Sequence, residues 1–425
     1  MISWHDLGCH LGCYGRRDIR TPALDRLAAE GVRLNAFFAT NPICSPARAS
    51  LLSGLTPHRH GLQGLVHDHW RLKPDVRLAE EWFQEAGYRT ALVGYQHERP
   101  KNEPCRADEV WTESSRAADV VPQVCQRLET FAREGNPFFL RTGFFEVHRP
   151  LMAESDEGWE DVAPLPYLKD TEEHRRQLAR YHKLIERADA GVGTLLKCLE
   201  ETGLAANTLV VFVTDHGVPF PGAKLTLYDA GIRVAGILRA PGILPQGTEV
   251  NEQVSSVDLL PTLLDLCGIP SDVSTLDGSS LAPLLRGETH AGREAIFAER
   301  AMPALMRAIR DGRYKYIVNF ETLPPSRLIG AEELTTPISM SLTDSLRRNT
   351  PAEELYDISA DPCEQKNLTA DPEHAGVKAK LRSRLQEWMR QTEDPLLKKD
   401  VLSPAFERAW ALISAPAESG ISSGK

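Results

Sequence analysis

Apolar positions along the chain switch between strand-like and helical spacing. The run Leu209-Val210-Val211-Phe212-Val213 is wholly apolar and bounded by Asn207 and Asp215, which predicts a strand buried on both faces. Shorter strand-like stretches are Met1 to Trp4, Val32 to Phe38, Tyr88 to Val93 with its end at Gly94, and the apolar segment Phe138 to Phe145. Thr21 as N-cap, Pro22 at the first position and Gly31 as the stop delimit a helix between the first two. Leu78 to Ala86 is amphipathic and helical, a helix is predicted around Ala118 to Glu134, and a long one covers Glu172 to Glu201. Strands alternating with helices predict an α/β fold, a large mostly parallel sheet flanked by helices on both faces. Polar residues stand just past the strand ends, at His5-Asp6, His97, His148 and Asp215-His216. Open α/β sheets place their ligands there.

After about Gly292 the texture changes, which divides the chain into a larger α/β unit at 1–292 and a smaller C-terminal α+β unit at 293–425. Ala308 to Ile317 predicts a hairpin turning at Asp311-Gly312, and a helix follows from about Glu373 to Gln391. The stretch Leu323 to Thr350 is rich in Pro, Ser and Thr and predicts a long loop over the mouth of the site. The small polar tail Ala415 to Lys425 is expected to fray.

The length of 425 residues allows a large domain with a smaller second one, and 42% hydrophobic with 25% charged residues is ordinary for a globular protein. A net charge of -10 argues against nucleic acid as a partner, so an anionic substrate must be held in a local positive pocket. No apolar run is long enough to span a bilayer, which excludes a membrane anchor of that kind. His5 and Asp6 interrupt the apolar start, so no signal peptide is visible; the expectation is a cytoplasmic protein, or a periplasmic one if the start is trimmed. The eight cysteines show no disulfide-framework spacing, and most are expected to be reduced.

The densest chemistry lies in Asn41 to Gly54. Pro46 suits the first turn of a helix that ends at Gly54, which puts Cys44 just before a helix N-terminus where orphan N–H groups attract anions. Arg48, one turn on, can return a guanidinium to the same place. Local physics leaves two readings open: a nucleophile precursor beside an anion cradle, or a buried cysteine at a helix start. Cys44-x-Pro46-x-Arg48, with Ser53-Gly54 after four further residues, resembles the signature of the sulfatase family of the alkaline phosphatase superfamily. The run Gly217-Val218-Pro219-Phe220-Pro221 looks most similar to the sulfamidase, or heparan N-sulfatase, branch.

The resemblance implies that Cys44 is oxidised to formylglycine by a maturation enzyme and that the hydrated aldehyde attacks sulfur. It implies a divalent metal, calcium by default, held by Asp6, Asp215 and the residue made from Cys44. His5 and His216 replace oxygen ligands of the family pattern, and imidazole suits softer ions, so manganese or zinc enters consideration. His97 matches the histidine that helps release sulfate, while His148 and Lys224 match the pair that protonates the leaving group. Tyr95 replaces a family lysine, leaving charge neutralisation to the metal, Arg48 and Lys224. Tyr95, Glu146, Arg149, His67 and His69 are candidate substrate-binding residues at the sugar pocket. The expected function is hydrolysis of sulfate esters or sulfamates on a small anionic sulfated sugar, such as an N-sulfoglucosamine unit of a glycosaminoglycan. The alternatives are an arylsulfatase, a phosphonate monoester or phosphodiester hydrolase of the same superfamily, and a degenerate sulfated-glycan-binding protein. A homodimer is a candidate assembly.

Overall fold

The structure, a computed structural model, describes residues 1–320 and 351–398 apart from Asn102 and Pro303. The predicted loop at Leu323 to Thr350 and the tail at Ala415 to Lys425 lie outside the described residues.

The first part of the chain runs β1 (Ile2–Trp4), α1 (Pro22–Ala29), β2 (Val32–Leu34), β3 (Phe37–Phe38), α2 (Cys44–Ser53) and α3 (Pro57–His60). It continues with α4 (Ala79–Glu85), β4 (Arg89–Gly94), β5 (Glu109–Trp111), α5 (Ala117–Glu134), β6 (Phe138–Gly143), α6 (Glu172–Glu201) and β7 (Val210–Thr214). Then come α7 (Asp229–Ile232), β8 (Arg233–Val234), β9 (Gly236–Arg239), β10 (Thr248–Val250), β11 (Val254–Ser255), α8 (Leu259–Leu266) and α9 (Ala282–Leu285). Eight strands form the main sheet in the order β10-β2-β9-β7-β1-β6-β4-β5. Every neighbouring pair is parallel except those made by β9, which runs antiparallel to β2 and β7.

The apolar run of β7 is explained by its two covered faces. Val210 and Phe212 point into the core shared with α1, α5 and α6, while Val211 and Val213 point into the one shared with α4, α8 and α9. On β1, Trp4 is fully buried and packs edge-on against Phe212 with ring centres 5.1 Å apart. The predicted strand over Val32 to Phe38 is in fact two. The chain breaks at Asn35-Ala36, because the Asn35 N–H and side chain turn to Val250, Glu249 and Asn251. β3 thereby joins a separate three-stranded sheet, β11-β3-β8. Most of the eight cysteines are free, as expected, and one pair is bonded. Cys125 of α5 and Cys198 of α6 form a disulfide, while the other six are free.

The C-terminal part forms a four-stranded antiparallel sheet, β12 (Ile296–Arg300), β13 (Met306–Arg310), β14 (Tyr314–Asn319) and β15 (Glu353–Asp357), with α10 (Ala375–Gln391) on one face. The hairpin turns at Asp311-Gly312 as predicted, since the Asp311 carboxylate accepts the N–H groups of Arg313 and Tyr314. The other face of the sheet packs Ile296, Ala308 and Ile317 against Phe38, Leu227 and Ile232. A buried ionic cluster ties this part to α3. His58 Nδ1 lies 2.8 Å from Glu299, Arg307 Nε lies 3.2 Å from Glu299, and the same Nε lies 2.6 Å from Asp394. Among the described residues, no helix is long and apolar enough to cross a membrane.

Arg307→Ala strips the counter-charge from two buried carboxylates and is expected to cost about 3–5 kcal/mol, read by chemical denaturation; a loss below about 1 kcal/mol would show the cluster to be marginal. Burial opposes ionisation of Glu299, but His58 and Arg307 hold it down to about 2. Its stabilising contribution is therefore complete above the unfolded carboxylate value of about 4.3 and is lost as pH falls toward 2. Melting temperature followed from about pH 5 down to pH 3 should fall less steeply in Glu299→Gln than in the parent.

Candidate active site

Parallel strands bring their C-terminal ends to one edge of the sheet, and the ends of β1 and β7 lie side by side in register, Trp4 opposite Thr214. This places His5-Asp6 next to Asp215-His216. Asp6 takes φ of 44°, a left-handed conformation rare for a residue with a Cβ. Three groups hold it there: its N–H donates to Asp215 Oδ1 at 3.0 Å, its carbonyl accepts from the Tyr181 hydroxyl, and its carboxylate takes Lys224 Nζ at 2.8 Å and 3.0 Å. Gly217 follows because a Cβ there would lie 1.9 Å from the Ala230 carbonyl oxygen. That close approach turns the chain so that Lys224 reaches back to Asp6.

Cys44 is the first residue of α2 rather than the residue before it. The helix ends at Gly54 with φ of 68°. Cys44 Sγ lies 3.2 Å from His216 Nε2 and 3.9 Å from Asp6 Oδ1. Arg48, fully enclosed, donates Nε to Asp215 Oδ2 and Nη1 to Ser3 Oγ, both at 3.1 Å, and its Nη2 has no partner among the described residues. Its guanidinium sits 5.3 Å over the Tyr95 ring. His5, Asp6, Cys44 and Asp215 are buried and offer ligand atoms that all lie within 4.8 Å of one another. His5 Nδ1 is 3.2 Å from Asp215 Oδ2 but is not directed at it, so both ring nitrogens lack a hydrogen-bond partner among the described residues. Two carboxylates and an imidazole with an unsatisfied nitrogen are a donor set that fits a divalent cation.

The electrostatics follow from this crowding. Burial opposes ionisation of Asp6, but Lys224, His148 and His216 hold its carboxyl far below the usual range. Burial likewise opposes ionisation of Asp215, which His216, Arg48 and His5 bring down to about 2. Burial, and then Arg48, lowers His5, which favours the neutral ring that ligates metals. Burial works against charge on His216, yet Asp215, Cys44 and Asp6 raise it well above its ordinary value. Burial also disfavours the Cys44 thiolate, but Lys224 and His216 outweigh it and lower the thiol.

The remaining predicted residues divide. His148 belongs to the cluster, with Nε2 3.4 Å from Lys224 Nζ and its ring stacked on Phe145. Tyr95 packs edge-on against His5 with ring centres 4.1 Å apart. His97 stands next to His67 instead, with rings stacked and Nε2 3.4 Å from His67 Nδ1, and its own Nδ1 is buried without a partner among the described residues. His67 and His69 are exposed. Arg149 donates to the Pro219 carbonyl at 2.7 Å and so braces the Lys224 loop. Glu146 turns away from the cluster, because its carboxylate accepts the Ala117 N–H at the start of α5. Sequence reasoning missed Ser3, Tyr181 and Asn41. Ser3 was detectable as a lone hydroxyl inside a buried strand, and Asn41, three residues before Cys44, is a fully buried amide without a partner among the described residues. Tyr181 gave no local signal, since it reaches Asp6 from the middle of α6.

The sulfatase family profile matches residues 2–269, and the profile described as N-sulphoglucosamine sulphohydrolase, C-terminal, matches residues 222–333. Human N-sulphoglucosamine sulphohydrolase is 30% identical over 92% of this chain and 89% of its own. An ulvan-active sulfatase of Formosa agariphila is 28% identical over 94% and 82%, and human arylsulfatase A is 28% identical over 87% and 82%. A solved structure described as a complex with its substrate D-glucosamine-2-N,6-O-disulfate shares the fold with a TM-score of 0.72 at 20% identity, covering 93% of this chain and 97% of that one. The phosphonate monoester hydrolase from Silicibacter pomeroyi does so with a TM-score of 0.70 at 20% identity over 92% and 95%. With the signature cysteine at the helix start and the two strand-end carboxylates beside it, the chain belongs to the sulfatase family.

Proposed function

We propose that the protein hydrolyses sulfate from a sulfated sugar, as an ester or as a sulfamate of the N-sulfoglucosamine type, with a nucleophile made from Cys44. The observation that carries this reading is the convergence of Cys44, Asp6, Asp215 and His5 beside the Lys224–His148 pair. Conversion of Cys44 to formylglycine supplies an aldehyde whose hydrate offers an oxygen nucleophile. Cys44 is only 3% exposed, so the maturation enzyme must reach it before the site closes. A divalent cation held by His5, Asp6, Asp215 and the residue made from Cys44 would supply charge neutralisation for the sulfate. Calcium is the family default, and the unsatisfied His5 nitrogen adds manganese and zinc as candidates. Arg48 donates its partnerless Nη2 toward anionic oxygens, and Asp215 takes a proton from the attacking hydroxyl. As the S–O or S–N bond breaks, His148 or Lys224 gives the departing oxygen or nitrogen its proton, and water replaces the lost group overall. His97, which stacks on His67 at the rim, would have to turn inward from that ring to accept the proton of the second hydroxyl when sulfate leaves. The Cys125–Cys198 disulfide favours an oxidising compartment, which weighs toward the periplasmic alternative.

Cys44→Ala is expected to abolish multiple turnover of an aryl sulfate with an unchanged melting curve, and mass spectrometry of the Cys44 peptide should show an aldehyde in the parent. Full turnover in Cys44→Ala would sink the scheme. His148→Ala should slow cleavage of a sugar sulfate by about 10²–10⁴-fold and an activated aryl sulfate by about tenfold or less, because a good leaving group needs no proton. Comparison of N-sulfoglucosamine, a sugar O-sulfate and an aryl phosphonate as substrates ranks the competing reactions. Elemental analysis should find one divalent metal per chain in the parent and less in His5→Ala; unchanged metal content in the variant would exclude ligation by His5.

A further inference from the structure

Two glutamates converge on one arginine beneath the main sheet, apart from the cluster at the strand ends. Arg141 stands in β6 opposite Leu92 of β4, on the face that α4 covers, as Phe139 does two residues earlier. Its Nε donates to Glu80 Oε1 of α4 at 2.7 Å, and its Nη2 donates to Glu98 Oε1. All three residues are at most 4% exposed. Ions at this depth carry a desolvation cost that apolar side chains would avoid, so packing alone does not account for them.

The second oxygen of Glu98 shows what the group holds. Glu98 Oε2 accepts the His97 N–H at 3.0 Å, which curls the chain back just past the end of β4. Burial opposes ionisation of Glu98, but Arg141, the His97 N–H and Arg48 hold its carboxyl down to about 2. The acceptor is therefore a full carboxylate at neutral pH, and a charged acceptor makes the stronger bond.

The turn anchored in this way carries two groups of the site. The Tyr95 N–H donates to the Gly143 carbonyl at 3.3 Å, and the Tyr95 ring meets His5 on one side and the His97 ring, 5.6 Å away, on the other. Gln96 bonds with Arg99 inside the same turn and so fastens nothing to the sheet, while Arg99 only approaches Glu81 of α4, at 3.8 Å. Past Tyr95, the tie between the His97 turn and β6 is the Glu98–Arg141 pair. His97 must leave the His67 ring by rotating about its own Cα, and rotation from a fixed pivot has a defined end point.

We infer that Glu98 is a positioning residue for His97: held by Arg141, its carboxylate fixes the backbone from which the imidazole turns in for sulfate release. The inference rests on the release role proposed for His97 above. In that step the hydroxyl proton goes to His97, the O–H electron pair forms the carbonyl bond, and the bond from that carbon to the sulfate oxygen breaks, so that sulfate departs with its electrons. The earlier step, which frees the alcohol, uses Asp215, His148 and Lys224 and needs nothing from Glu98.

The test is rapid-mixing kinetics of the mature enzyme on an aryl sulfate, with the parent, Glu98→Gln and His97→Ala compared. Glu98→Gln leaves Arg141 paired with Glu80. It should lower kcat by about 10²-fold without slowing the first release of phenol. A burst of about one phenol per site should follow, and mass spectrometry should find more of the residue-44 peptide carrying a sulfo group than in the parent. Arg141→Lys, which keeps the charge but not the two-sided fork, should move the same quantities in the same direction, and it carries the test if Glu98→Gln does not fold. In a His97→Ala background, Glu98→Gln should change kcat by less than about twofold. Unchanged kcat in Glu98→Gln, a loss without the burst, or a full further loss in the His97→Ala background would each overturn the inference. If His97→Ala itself gives no burst, the release role of His97 falls and the inference falls with it. A burst in His97→Ala but none in Glu98→Gln rejects Glu98 alone and leaves the sulfatase reading standing.

Discussion

The structure depends on keeping two carboxylates charged where no water reaches them. Asp6 and Asp215 are at most 1% exposed, and a buried carboxylate without compensation would take up a proton instead. Arg48, Lys224 and His216 prevent this, and each arrives from a different place: the signature helix, the loop after β7, and the end of β7 itself. The fold thus closes around a charge balance rather than around an apolar contact. Arg48 is bound to Asp215 and Ser3 at once, so its role in the signature is first to stabilise the neighbouring carboxylate. Only its remaining nitrogen is left for an anion.

Much of this was legible in the chain. Wholly apolar strands marked the sheet, and polar pairs at their ends marked its working edge, because parallel strands all end on one side. What the pattern could not convey was pairing between distant parts. Glu146 sits two residues before His148 and reads equally well as a pocket residue, yet its partner is a backbone N–H 29 residues earlier. Asn35 reads as a tolerable interruption of one strand, but its contacts with 249–251 split that strand between two sheets. The Cys125–Cys198 bond follows from the packing of α5 on α6, which no spacing rule contains. His97 is the reverse case: the motif points to the reaction centre, whereas the stacked ring of His67 holds it at the rim.

The C-terminal sheet is a structural partner of the site rather than an appendage. Asp229, five residues after Lys224, receives Lys315 Nζ at 2.6 Å and Arg310 Nε at 3.1 Å. Lys315 also lies 2.9 Å from Glu364, whose side chain accepts the Asp229 N–H. Ile232 in the same stretch packs under β12–β14. The segment that brings Lys224 to Asp6 is therefore clamped from outside by charges on the second sheet. Loss of that sheet's packing would be felt at the reaction centre through the position of one ammonium group.

The central place of β1 has a consequence for how the molecule is made. Ile2 pairs with Thr142 on one side and Phe212 on the other, so the strand at the middle of the sheet waits for partners 140 and 210 residues further along. At ribosomal rates of about 5–20 residues per second, β1 waits roughly seven to thirty seconds for its first neighbour and roughly ten to forty for its second. Contacts of such sequence separation also slow the closing step itself. Nascent chains of this protein should lean on chaperones during that interval, and the same delay leaves Cys44 accessible until the finished fold buries it.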